Sequence, residues 1–429
     1  MYYRLYHILG WLFVVAGFPF FLVYSLLTGK HRDSLRERFG YLADVRFKKA
    51  KQQRIWIHAA SVGEVQVAKP LLKELSSLLP EASFILSTVT EQGKKIAQEQ
   101  LPSGVSCIYA PIDLPLVVNR VLQTIRPAAY ICIETELWPM IIREAHANNV
   151  KLFLLNGRIS EHSFSNYLKI KGFMKDVLAY FSVIAVIQEC YKERYVALGA
   201  APDKIHVLGN AKYDSVNVCR LPDLQTRYKH WLKLNDNQPV FVAGSTHSGE
   251  EKLLISVFLS LKKKRKDVIW IVAPRHLERL REIELLLTEY GIEFDRLSSI
   301  KESGRSHDVA LVDTMGDLSG LYSIATYIFC GGSLVPRGGH NIMEAAIWGK
   351  PVFYGPSMKD FTDAKELMEE ADAGFTVSGP EELTEKLLSM IEHPDKYAAA
   401  AERAGKTALA QQGSAKRQAQ LVADMLLNS

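Results

Sequence analysis

A chain of 429 residues is long enough for two hydrophobic cores, and 48% hydrophobic with 23% charged residues is the composition of a globular protein, not a disordered or fibrous one. The net charge of +5 is too mild for a nucleic-acid binder that carries no recognised motif, and suits an anionic small molecule or lipid surface better. Five cysteines, Cys107, Cys132, Cys190, Cys219 and Cys330, are odd in number and form no CxxC pair, which argues for reduced thiols and against a disulfide framework or a zinc site.

Ile8 to Leu27 is a charge-free apolar run of about bilayer-spanning length, with Trp11, Tyr24 and the Tyr2, Tyr3, Tyr6 cluster suited to the interfaces at its ends. Lys30, His31, Arg32, Arg36 and Arg38 follow at once, which places the rest of the chain on the cytoplasmic side. Gly10, Gly17 and Pro19 leave a second reading open, in which the segment lies in the membrane interface. Residues 1–30 are therefore expected to be a membrane anchor.

From 31 to 215, short apolar runs alternate with helix-length segments, the rhythm of a parallel sheet wrapped by helices: Ile55–His58, Phe84–Val89, Val105–Tyr109, Ala129–Ile133, Leu152–Leu155, Val183–Ile187 and Ile205–Leu208. Two acids stand at strand-to-helix junctions, Glu64 in Ser-Val-Gly-Glu and Glu136 in Glu-Thr-Glu-Leu-Trp-Pro. Each by itself reads equally well as an acid complementing the helix dipole. Two on the same rim point to one crevice, where a carboxylate can take a proton from an attacking hydroxyl. Asn156-Gly157-Arg158-Ile159-Ser160 supplies a cation at that edge, and Lys212, in Gly-Asn-Ala-Lys, is expected at the junction of the two halves. Lys169, Lys171 and Lys175, interleaved with Phe164, Tyr167 and Phe173, suit either solvent or phosphate-bearing lipid.

The rhythm restarts in a second domain, 221–395. Strands are expected at Pro239–Ala243, Val268–Ala273, Val309–Val312, Ile328–Cys330 and Pro351–Tyr354. Their carboxyl ends deliver Ser245-Thr246-His247, Pro274-Arg275, then Met315-Gly316-Asp317, and finally Gly338-Gly339-His340-Asn341 with Glu344. Arginine meets a phosphate with two parallel hydrogen bonds, and Gly316 lets backbone read a flat base. A helix from about Asn341 would offer unblocked N–H groups to an anion, with Glu344 accepting from ribose hydroxyls. Jointly these describe a nucleotide pocket at a sheet edge. No P-loop lysine motif and no G-x-G-x-x-G opens a first βα unit, so kinase and dehydrogenase readings lack their signals. No metal-ligand cluster is visible and no cofactor is implied. A helical tail, 396–429, is expected to cross back onto the first domain.

Ser61-Val-Gly-Glu64, Glu134-Thr-Glu-Leu-Trp-Pro139, Asn156-Gly-Arg158-Ile-Ser160, Gly209-Asn-Ala-Lys212, Gly244-Ser-Thr-His-Ser-Gly-Glu-Glu251, Ala273-Pro-Arg-His276, Asp313-Thr-Met-Gly316 and Gly338-Gly-His-Asn341 with Glu344 resemble, in order, the motifs of the lipid A Kdo transferases, which transfer 3-deoxy-D-manno-octulosonic acid. The resemblance covers nearly the whole chain. It implies an α/β fold of two Rossmann-like domains (GT-B) with an N-terminal membrane-anchor helix and a C-terminal crossing helix. It further implies inverting transfer of Kdo from CMP-Kdo to the lipid A precursor lipid IVA, at the cytoplasmic face of the inner membrane, with membrane lipid as a partner and no nucleic acid. Glu64 then resembles the general base; Glu136 and Lys212 resemble transition-state stabilisers; Pro274, Arg275, Met315, Gly316, Asp317, Gly338, Gly339, His340, Asn341 and Glu344 resemble the CMP contacts. Arg158, Ser160, Ser245, Thr246 and His247 are further candidates for substrate binding. Gly157, where family members often carry alanine, and the loose turn Thr90-Glu-Gln-Gly93 depart from the pattern. A sugar-nucleotide epimerase of the same double-Rossmann shape and a non-catalytic tethered nucleotide-sugar sensor are the rival readings.

Overall fold

The computed structural model describes residues 2–3, 5–8, 10–12, 15–17, 32–42, 53–102, 104–215 and 222–427. The whole of the apolar run after Gly17, with Pro19 and Tyr24, together with Lys30, His31, Cys219 and Leu221, lies outside the described residues. The chain forms two compact units, Met1–Ser215 with Gln412–Ser429, and Val216–Gln411.

Short runs of branched and aromatic residues, apolar on both faces, become fully covered parallel strands. In the first unit these are β1 Arg54–His58, β2 Ser83–Thr88, β3 Ser106–Tyr109, β4 Ala129–Ile133, β5 Lys151–Gly157, β6 Val183–Val186 and β7 Ile205–Val207. They lie in the order β3-β2-β1-β4-β5-β6-β7. The order reverses between β1 and β4, whose connections leave in opposite directions and open a crevice at the carboxyl ends. Register places His58 beside both Ser87 and Cys132 at that end.

The helix Val62–Leu78 lays Val65, Ala68, Leu71, Leu72 and Leu75 on the sheet at helical spacing. Against it packs the last helix, Ser414–Leu427, through Ala415, Ala419, Val422, Ala423 and Leu426. Small side chains there allow close approach, and enlarging Ala419 would overpack the contact by about 1–3 kcal/mol. The tail expected from 396 onward is thus two helices. Pro394–Gln411 stays with the second unit, and only the segment after it returns.

The described N-terminal residues pack on the first unit. Tyr2, Tyr3 and Tyr6 place their rings 6.0, 5.2 and 5.9 Å from Phe173, and the Tyr6 hydroxyl donates to Asp113 at 2.8 Å. These tyrosines, expected at a bilayer boundary, are therefore at least partly engaged with protein. Leu5, Ile8, Leu12 and Val15 stay exposed. Among the described residues no helix is long and apolar enough to cross a membrane.

The second unit holds β8 Val240–Thr246, β9 Ile269–Pro274, β10 Asp295–Arg296, β11 Val309–Leu311, β12 Tyr327–Cys330, β13 Val352–Tyr354 and β14 Gly374–Thr376. Their order, β10-β11-β9-β8-β12-β13-β14, reverses between β8 and β12. Phe241, Phe258, Trp270, Phe329 and Phe353 fill the core on one face.

Candidate active site

At the first unit's reversal point, β1 turns through Ala59 and Ala60 into its helix. Ser61 is the N-cap: its Oγ accepts the Glu64 N–H at 3.4 Å and donates to Glu64 Oε1 at 2.8 Å, while the Ala60 N–H donates to Oε2 at 2.7 Å. Glu64 thus takes part in a variant of the capping box, with the amide before the cap as its donor. Its side chain is still not an ordinary cap. Glu64 is only 8% exposed, and burial, joined by the negative charge of Glu136, pushes its carboxyl up to about 8 despite the Ala60 and Ser61 bonds.

Glu136 follows β4 and is about one-third exposed along its side chain; its Oε2 accepts from Trp138 Nε1 at 2.9 Å. Glu134, in left-handed backbone at φ 60°, receives Arg158 through Nε at 2.8 Å and Nη2 at 2.7 Å. Arg158, expected as a cation for substrate, is therefore engaged by a neighbouring carboxylate. Ser160, also expected to bind substrate, caps the helix Glu161–Lys169 by accepting from the Ser163 amide at 3.2 Å.

Lys212 lies on the 3-10 turn Ala211–Ser215, and its amide donates to Asn210 Oδ1 at 3.0 Å. Two residues to which the sequence reading gave no role hold this turn. Asn156, fully buried at φ 56°, accepts the Ala211 N–H at 2.8 Å and gives its own N–H to Gln418 Oε1 at 2.8 Å. Gln418 in turn donates to Gly209 O at 3.0 Å. Asn156 opens a motif singled out for its arginine, with nothing to show that the asparagine braces a turn, and for Gln418 there was no signal.

At the second unit's reversal point the acids turn inward. Glu250, fully buried, accepts from the amides of Gly332 at 2.7 Å, Ser333 at 3.0 Å, Leu334 at 3.0 Å and His247 at 2.9 Å. Three successive amides form an anion seat, and the chain's own carboxylate fills it. Thr246 donates to Glu251 at 2.7 Å, and Glu251 receives both guanidinium arms of Arg279 at 2.9 and 3.0 Å. Asp317, expected to touch nucleotide, bonds Lys301 at 2.7 and 2.9 Å, together with Tyr228 and Thr314. Burial alone would raise its carboxyl, but those donors more than offset it and leave it lowered.

Cations and imidazoles face outward here, beside exposed acids such as Glu278, which lies 3.6 Å from His276. Arg275 is exposed beyond the buried Pro274, its amide anchored to Thr246 O at 3.0 Å. His247 and His340 stack at 5.2 Å, with Nε2 atoms 2.9 Å apart, so one ring donates and the other accepts. His276 meets His247 edge-on at 5.5 Å. Burial, with His276 and Arg337 next, lowers the His247 pKa. Ser245 takes left-handed backbone at φ 57°; Met315 is 72% exposed beside Gly316, whose φ of 89° suits glycine.

The helix expected from Asn341 is a single turn, Met343–Ala346, too short for a substantial dipole. The amides of Gly338 and Gly339, expected to await an anion, donate to Ser357 Oγ at 3.1 Å and Gly332 O at 2.9 Å. Both glycines adopt positive φ, and a Cβ on Gly339 would strike Met358 Sδ at 2.2 Å. They therefore shape the loop without supplying those donors. Asn341 bonds the Met343 amide at 3.1 Å and Glu344 Oε1 at 3.3 Å. Among the described residues no group of three or more His, Cys, Asp or Glu side chains is placed to hold a metal ion.

Two Rossmann-like units, each with polar residues gathered where its strand order reverses, make a fold of the GT-B type. A solved UDP-GlcNAc 2-epimerase from Neisseria meningitidis, bound to UDP-GlcNAc, shares this fold, with a TM-score of 0.56 and 13% identity over 88% of this chain and 100% of that one. Residues 33–215 match the family model described as 3-deoxy-D-manno-octulosonic-acid transferase (kdotransferase). The 3-deoxy-D-manno-octulosonic acid transferase of Haemophilus influenzae is 30% identical over 86% of this chain and 85% of its own. A bifunctional glycosyltransferase/methyltransferase of Fusobacterium nucleatum is 35% identical over 80% of this chain, which spans only about half of that relative, 53%. The chain belongs to the 3-deoxy-D-manno-octulosonic acid transferase family and is a glycosyltransferase of lipopolysaccharide biosynthesis.

Proposed function

We propose that this enzyme transfers Kdo from CMP-Kdo to lipid IVA, with inversion at the anomeric carbon, at the cytoplasmic face of the inner membrane. The observation that carries the reading is the buried Glu64 carboxyl, raised to about 8 and set beside Glu136 at the crevice of the first sheet. An acid with that pKa is matched to removing a proton from a hydroxyl near neutral pH.

A sugar hydroxyl of the acceptor loses its proton to ionised Glu64 and attacks the donor's anomeric carbon from the face opposite CMP. The bond to the CMP phosphate oxygen breaks and its electron pair leaves with CMP. One base and no covalent intermediate suffice for inversion. Negative charge grows on the phosphate as the sugar becomes cation-like; Arg275 answers the first and Glu136 the second. Lys212 is the second cation of the scheme.

An apolar acceptor is supported by a cavity of about 250 Å³ beside Trp138, lined by Tyr6, Val89, Ile112 and Leu114 with Arg38 and Asp113. Exposed Leu5, Ile8, Leu12 and Val15, together with exposed Lys169, Lys171 and Lys175, suit an anionic membrane surface.

Mass spectrometry of lipid IVA after incubation with CMP-Kdo tests the proposal. A heavier lipid with equivalent release of CMP is expected. An isomerised nucleotide sugar with unchanged lipid would make the enzyme an epimerase, and binding of CMP-Kdo without consumption would make it a sensor.

A further inference from the structure

His58 closes strand β1 at the floor of the Glu64–Glu136 crevice, and the mechanism above does not use it. The side chain is wholly buried. Its Nδ1 lies 2.9 Å from Ser87 Oγ, and Ser87 Oγ also receives the Trp56 indole N–H at 2.8 Å. The other nitrogen, Nε2, has no hydrogen-bond partner among the described residues and faces Glu136 Oε2 at 4.0 Å. Trp138 donates to that same oxygen at 2.9 Å and meets the imidazole edge-on, with ring centres 6.2 Å apart. Tyr130 lies nearly parallel to the imidazole on the neighbouring strand.

Ser87 bears on where the imidazole proton sits in two ways: its backbone hydrogen bond favours a proton on the ring, and its hydroxyl at Nδ1 can supply one. With one lone pair taken by Trp56, the Ser87 hydroxyl hydrogen has two acceptors, His58 Nδ1 at 2.9 Å and Ile57 O at 3.5 Å. The shorter bond is the better one. If Ser87 donates to Nδ1, the ring proton resides on Nε2, the nitrogen whose nearest charged group is the Glu136 carboxylate at 4.0 Å, beyond a direct hydrogen bond. The opposite tautomer would set a bare, buried lone pair against a negative oxygen.

We propose that His58 is a positioning residue: a neutral imidazole protonated on Nε2 that, with Trp138, holds the Glu136 carboxylate inward over the crevice beside Glu64. This role rests on the transfer reaction proposed above. Burial keeps the ring neutral by lowering its pKa to about 4. Burial first, then the charge of Glu136 in this position, keeps Glu64 up, with Glu134 adding to it. Other groups near the pair do not compete across neutral pH: burial raises Cys132, Tyr130 and Tyr167 above their ordinary values, and Arg158 remains bound to Glu134.

Two measurements test this on the full-length enzyme. Nitrogen-15 NMR of histidine-labelled wild-type protein should show His58 neutral and protonated on Nε2 from about pH 6 to pH 8; a proton on Nδ1 would overturn the proposal, whatever the activity shows. In the pH profile of kcat/KM, His58→Phe should let Glu136 swing outward and shift the ascending limb to lower pH, while His58→Gln, which keeps an N–H donor, should restore much of the wild-type limb. In a Glu136→Gln background His58→Phe should cause no further shift. A shift of the same size in that background would reduce His58 to packing, as would an unmoved limb in His58→Phe alone. Loss of folding in the phenylalanine variant would leave the NMR result to decide. Full turnover in Glu64→Gln would instead defeat the catalytic reading and leave the tautomer assignment standing.

Discussion

The two units place polar residues at the same topological position and give their buried acids different partners. At the β1/β4 reversal of the first, the acids face the crevice: burial and then the charge of Glu136 raise the Glu64 carboxyl, and the neighbouring histidine is neutral. At the β8/β12 reversal of the second, Glu250 and Glu251 bond backbone amides and Arg279, and Asp317 bonds Lys301, leaving Arg275 and three imidazoles toward solvent. The same chemical groups thus do different work according to what they are bonded to. Donors hold the Asp317 carboxyl low, and burial raises Glu250 even against its four amides, which make it a structural strut; Glu64, buried beside another carboxylate, becomes a base poised near neutrality.

The contrast can be broken first at its acidic side. Glu64→Gln should lower turnover by about two to four orders of magnitude with unchanged donor binding, read by single-turnover kinetics alongside calorimetry with CMP. Next comes the inward-turned acid. Glu250→Ala deprives four amides of their acceptor and should destabilise the second unit by about 3–5 kcal/mol, seen as faster hydrogen exchange at Gly332, Ser333 and Leu334. If Glu250 were a ligand group instead, exchange would stay slow and only binding would suffer. A smaller effect belongs to the outward cation: Arg275→Ala should weaken CMP binding roughly ten- to hundredfold without altering the thermal midpoint.

Much of this architecture was legible in the sequence because buried parallel strands are continuous apolar runs. Ile55–Ile57, Tyr130–Ile133 and Val268–Ala273 announce themselves by composition, and their carboxyl ends then fix where Glu64, Glu136 and Arg275 must stand. The edge strands β10 and β14 did not, since two or three residues carry no periodicity. Nor does a sequence show what satisfies a hydrogen bond. Gly338-Gly339 reads as an open anion seat until Ser357 and Gly332 are found bonded to it, and Arg158 reads as a substrate cation until Glu134 is found beside it. His58 and Gln418 escaped for the reason that a buried polar residue looks like any core position until its partner, distant in the chain, is known.

The central claim is that Glu64 is a base whose pKa is held near 8 by burial and by Glu136, and the pH dependence of kcat/KM for Kdo transfer tests it most directly. Because the ionised form accepts the proton, activity should rise with pH to a plateau above about 8. Removing the charge of Glu136 by Glu136→Gln should move that rise to lower pH. A profile flat from about pH 6 to 9, or a rise that Glu136→Gln leaves in place, would contradict the account.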